Sequence, residues 1–120
     1  MTELRPRVLL DGLAYVESPR WHDGRLWFAH WGAGEIVAVD LDGRAERMAD
    51  GPPGLGWSFD FLPDGRLLVT GERLLRHDPD GAVRPHAGTG GGEIVVDAVG
   101  NAYVNGFAFD FLDGGAPSPG

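Results

Sequence analysis

Few residues in this chain have the type and spacing that chemistry needs. Glu17 stands just ahead of a short strand in Glu17-Ser18-Pro19-Arg20-Trp21, and on residue chemistry alone it reads as a solvated turn acid. His22, His30, His77 and His86 show no one-turn pairing, so a packed or exposed imidazole is favoured over a metal ligand at each. His30, on a strand after Phe28-Ala29, is the one that could face a central channel. Ser18 and Ser58 precede Pro and Phe rather than occupying a Gly-x-Ser-x-Gly turn, and no Ser-His-Asp set is visible. Gly88-Thr89-Gly90-Gly91-Gly92 is glycine-rich, yet no helix follows it, so it does not read as a phosphate cradle.

Composition narrows the function classes. The net charge of −8 argues against nucleic acid, which needs a basic surface, and is compatible with binding a cation. There is no cysteine, which excludes disulfides and thiolate metal sites. Met1-Thr2-Glu3-Leu4-Arg5-Pro6-Arg7 is charged and lacks an apolar signal core. The apolar runs fall far short of the ~18 residues that a membrane helix needs, so no membrane partner is expected and a cytoplasmic location is. At 120 residues, with 42% hydrophobic and 23% charged, the chain is one ordinary globular domain or part of one.

Turns organise these residues. The 20 glycines and 9 prolines point to many tight reversals between short strands. Asp23-Gly24, Asp42-Gly43, Asp64-Gly65 and Asp80-Gly81 favour hairpins because glycine accepts a positive φ, and Gly100 marks a fifth. Alternate turn glycines lie 41, 38 and 35 residues apart. Whole stretches recur with them: Asp23-Gly24-Arg25-Leu26-Trp27-Phe28 is echoed by Asp64-Gly65-Arg66-Leu67-Leu68-Val69 and by Gly100-Asn101-Ala102-Tyr103-Val104. No window holds an amphipathic helical period for three turns. Gly51-Pro52-Pro53-Gly54-Leu55-Gly56 and Gly88–Gly92 separate the units.

Four short strands per repeat of about 40 residues is the pattern of a β-propeller blade. The expected fold is therefore all-β: part of a six-bladed propeller, about two and a half blades of four-stranded antiparallel sheets. The blade units span 13–50, 54–88 and 91–112, with a Gly/Pro-rich tail over 113–120. Val8-Leu9-Leu10 is expected to be a short apolar strand, which in a propeller could be the outer strand of a blade completed by the C-terminus. A β-sandwich with regular turns is the alternative, but it leaves the likeness between units unexplained. A propeller needs four blades or more, so a fragment of a longer protein is favoured over a ring completed by association or a small open sheet. The four tryptophans read as packing residues, with Trp31 and Trp57 the ones able to offer a sugar-stacking face.

Three stretches carry a resemblance: Glu17-Ser18-Pro19-Arg20-Trp21 with Asp23-Gly24-Arg25-Leu26-Trp27-Phe28; Phe61-Leu62-Pro63-Asp64-Gly65-Arg66-Leu67-Leu68-Val69; and Glu93-Ile94-Val95-Val96-Asp97 with Gly100-Asn101-Ala102-Tyr103-Val104. The chain resembles the N-terminal portion of the gluconolactonase, regucalcin and luciferin-regenerating-enzyme family of six-bladed propellers. That resemblance implies a lactonase that hydrolyses sugar lactones or related cyclic esters at a divalent cation, calcium first, with zinc or magnesium as alternatives. It implies that Glu17 is the first metal carboxylate. A hard cation takes oxygen ligands, polarises the lactone carbonyl and activates water. Two departures stand out. The family's asparagine ahead of the acidic residue in the third unit is Gly92 here, and the further metal ligands belong to later blades. No residue is therefore assigned as the catalytic base. Asn105 is the candidate substrate-binding substitute, whereas Asn101 more readily fills a turn position.

The competing reading is non-enzymatic. A β-repeat module could bind a partner, or a second copy of itself, through open sheet edges.

Overall fold

The structure, a computed structural model, describes residues 3–106 and 114–117. Ten strands and no helix occur among them: β1 (Val16–His22), β2 (Arg25–His30), β3 (Glu35–Val39), β4 (Ala45–Asp50), β5 (Phe59–Phe61), β6 (Leu67–Val69), β7 (Leu74–His77), β8 (Val83–Ala87), β9 (Ile94–Val96) and β10 (Ala102–Val104). They form antiparallel sheets of four, four and two strands, ordered β1-β2-β3-β4, β5-β6-β7-β8 and β10-β9. Two compact units result, Met1–Gly54 with the first sheet and Leu55–Gly120 with the other two. The third repeat beyond Gly106 and half of the expected tail lie outside the described residues.

The hairpins follow from their turn chemistry. Asp23 and Gly24 both have positive φ, 52° and 75°, and the two residues alone connect His22 to its partner Arg25, as a type I′ turn requires. The other four glycine turns are longer than the sequence suggests. In each, the glycine N–H donates three residues back and the ladder closes one residue further on: Gly43 to Asp40, Gly65 to Leu62, Gly81 to Asp78 and Gly100 to Asp97. Their φ values of 83° to 94° mark the left-handed residue that ends a type I turn in a three-residue hairpin loop.

Residue pattern separates inner from outer strands. Leu67-Leu68-Val69 in β6 is a continuous apolar run, and all three side chains are buried, as expected for a strand covered on both faces. β8 is exposed throughout, in keeping with an edge strand. In the second unit Leu62, Leu68, Leu74 and Ile94 form a core, with Val96, Ala102 and Val104 of the two-stranded sheet against it. In the first unit Phe28, Val37 and Val39 face one side of the sheet.

Val8-Leu9-Leu10 departs from expectation. The segment is not a strand. Leu9 and Leu10, with Leu13, lie half-buried against the Phe28–Val37–Val39 face, and the Arg7 guanidinium donates to the Leu41 carbonyl at 3.0 Å. Apolar burial rather than ladder pairing holds it.

Candidate functional site

Glu17 lies on the edge strand β1, paired with Ala29. Immediately after it the register slips, so that Ser18 and Pro19 together oppose Phe28 before Arg20 pairs with Trp27. This is a β-bulge, the device that re-aims side chains beside many sites. Pro19 has no N–H to leave unpaired, which suits a bulge on an edge strand. Ser18 is buried with φ 56°, and its N–H donates to Glu17 Oε2 at 2.9 Å. Glu17 is exposed and is one of the residues that line an apolar groove on the first unit. The acid thus closes its own bulge while keeping its carboxylate at the surface.

The acid-to-next-amide contact, without a bulge, recurs in the other two sheets. Asp60 Oδ1 accepts from the Phe61 N–H at 2.8 Å, and Glu93 Oε1 accepts from the Ile94 N–H at 3.0 Å. In each sheet an acid at or beside the first strand caps the amide that follows it. Asp60 also accepts from the Val96 N–H at 2.8 Å, so it ties the second sheet to the third.

Asn105 follows β10 in the second unit. Its Oδ1 accepts from the Glu93 N–H at 2.7 Å and from the Gly92 N–H at 3.2 Å. The side chain extends the β9–β10 ladder by pairing with the backbone of the glycine run. Gly92, the position where the resemblance expects asparagine, also gives its carbonyl to the Thr70 hydroxyl at 2.8 Å. Thr70 Oγ1 in turn accepts from the Ser58 N–H at 2.8 Å, and Ser58 Oγ donates to Glu93 Oε1 at 2.5 Å. Ser58 and Thr70 are 2% and 1% exposed. Buried polar groups need such partners. Sequence reasoning missed this network of Ser58, Thr70, Gly92, Glu93 and Asn105. Its links span up to 35 residues, and although Gly92, Glu93 and Asn105 each stand out in the sequence, nothing there joins them to Ser58 and Thr70.

Glu17 and Asn105 belong to different units. Asn101 occupies a turn: its amide donates to Asp97 Oδ2 at 2.9 Å. His30 is a packing residue. Its Nε2 accepts from the Ala14 N–H at 3.2 Å and its Nδ1 lies 3.2 Å from Glu35, so both ring nitrogens are engaged within the fold. Trp57 is 2% exposed, so its ring faces are covered, and Trp31 is half-buried. Among the described residues no group of three or more His, Asp or Glu side chains gathers.

Much of the acidity serves turns. The Arg44 amide holds the Asp40 carboxyl below its ordinary range, and the Arg66 amide does the same for Asp64. Asn101 lowers Asp97, and the Arg84 guanidinium lowers Asp80. Asp78 has a different task. Arg76 and Arg84 stand directly opposite each other on β7 and β8, an arrangement that repels. The Asp78 carboxylate lies between them, 2.6 Å from Arg76 Nε and 2.7 Å from Arg84, and these contacts push it far below the usual carboxylate range. Burial lowers the neighbouring His77 below its ordinary 6.5.

Both shifts carry the same sign for stability. A depressed Asp78 stabilises the fold above its unfolded value, near 3.8, and this contribution is lost as the pH falls toward the folded value. His77 is kept neutral in the fold, so below 6.5 the unfolded chain takes up its proton first. The thermal unfolding midpoint is expected to fall as pH drops below about 6.5, and again below about 4. His77→Gln should flatten the first slope and Asp78→Asn the second. Unchanged slopes in both variants would assign the acid sensitivity elsewhere.

No family model, curated protein or solved structure matches the chain. Function therefore rests on the residues themselves.

Proposed function

We propose that the chain carries the N-terminal portion of a lactonase-like β-propeller and that Glu17 contributes one oxygen ligand to a divalent cation, calcium first. The observation that supports this reading is the bulge immediately after Glu17, where the Ser18 amide donates to the Glu17 carboxylate and orients it. Two successive four-stranded antiparallel sheets in the same strand order support the propeller reading. A cation bound there would supply Lewis-acid polarisation of a lactone carbonyl. Calcium asks for 6–8 oxygens, and Glu17 alone does not meet that demand. Residues outside those described, or another chain, would have to complete the set.

Calorimetric titration with calcium tests the reading. The wild-type chain is expected to release saturable heat that Glu17→Gln loses. Equal heat from the two proteins removes Glu17 from any cation site, and no heat from either rejects cation binding by this chain.

The second reading, a non-enzymatic β-repeat module, is favoured by a different observation. Val95 and Tyr103, paired across β9 and β10, are 59% and 57% exposed, an apolar surface on which a partner or a second copy could pack.

A further inference from the structure

We propose that the groove at Glu17 binds a small apolar molecule carrying a cationic head. The groove encloses about 470 Å³, within the range of roughly 300–1,000 Å³ typical of small-molecule sites. One wall is the N-terminal segment, through Leu9, Leu10 and Leu13. The other is the sheet, through Leu26, Phe28 and Val39. Leu9, Leu10, Leu13 and Leu26 are only partly buried against Phe28 and Val39, so apolar surface on both walls remains for an occupant to cover.

Charge selects the head group. Glu17 is the one ionisable side chain among the described residues that line the groove. Its carboxylate is held by the Ser18 N–H, so its position does not depend on the occupant. An ammonium beside Glu17 can pair with it while staying hydrated on its other side. An anionic head meets Glu17 and a net charge of −8, both repulsive. A neutral head gains the walls alone. This inference does not depend on lactone hydrolysis or on a bound metal.

The probes are n-octylamine, n-octanol and octanoate, titrated calorimetrically into the full chain at neutral pH and below micelle-forming concentrations. Octylammonium is expected to bind more tightly than octanol, and octanoate least. Because Glu17 is exposed, the gain from its charge is modest. Glu17→Gln should weaken octylammonium about threefold and leave octanol unchanged, and the retained octanol binding shows that the groove is still folded. Equal octylammonium affinity in both proteins would assign the attraction to net charge and overturn the role of Glu17. Absence of saturable octanol and octylammonium binding would show that the groove takes no apolar body, and would overturn the proposal whatever calcium does.

Discussion

Gly90→Ala is expected to destabilise the second unit by about 3 kcal/mol, the upper part of the range for forced overpacking. A Cβ at Gly90 would be driven into the carbonyl oxygens of Gly71 and Glu72. These are backbone atoms at the turn into β7, and they cannot swing away as a flexible side chain would. The close approach is itself hydrogen-bonded, since the Gly91 N–H donates to the Gly71 carbonyl at 3.1 Å. Gly88 provides the control within the same run. A Cβ there meets nothing within 4 Å, so Gly88→Ala should stay within about 0.5 kcal/mol of wild type. Urea unfolding of the two variants side by side checks this. Equal midpoints would mean that the run does not cross the second sheet so closely in solution.

This comparison marks where the sequence stops being informative. The all-β class and the five glycine turns are legible because a turn is a local event: Asp-Gly and its variants state a backbone need that neighbours cannot override. Loop length within those turns is less legible. Asp23-Gly24 and Asp42-Gly43 look alike, yet only the first makes a two-residue turn, with the acid itself at positive φ. The role of Gly88–Gly92 is not legible at all. Glycines demanded by close backbone approach look the same as glycines in an open linker, and the run contains both kinds.

Charge and site residues divide in the same way. The net acidity is compatible with cation binding, but Asp40, Asp64, Asp80 and Asp97 are engaged with turn amides or turn side chains. Asp78 answers two opposed arginines. Glu17 stands out in sequence only through the resemblance carried by Glu17-Ser18-Pro19-Arg20-Trp21, and Pro19 of that stretch suits the bulge that follows it. Asn105 is an attractive polar side chain in sequence, whereas in the fold its carbonyl oxygen serves the backbone of Gly92 and Glu93. Val8-Leu9-Leu10 has the composition of a strand, but composition does not distinguish an apolar segment that pairs from one that only covers a face.

Thr70→Val is the second large expected effect, about 1–3 kcal/mol. The substitution keeps shape and removes only the hydroxyl, at a side chain 1% exposed. The hydroxyl is acceptor for the Ser58 N–H and donor to the Gly92 carbonyl, both at 2.8 Å. Losing it deprives the buried Ser58 amide and the half-buried Gly92 carbonyl of those partners at once, and a buried group without its partner costs more than the bond contributes. Thr70→Ser separates this from packing, since it keeps the hydroxyl and drops one methyl, at about 0.8 kcal/mol. Amide exchange locates the damage. Thr70→Val should speed exchange at Ser58 and, through Gly92, at the Glu93 amide that Asn105 holds, whereas Thr70→Ser should leave both protected. If the two variants lose equal stability and exchange alike, the hydroxyl is not a link between the second and third sheets, and the Ser58–Glu93 and Asp60–Val96 contacts carry that connection.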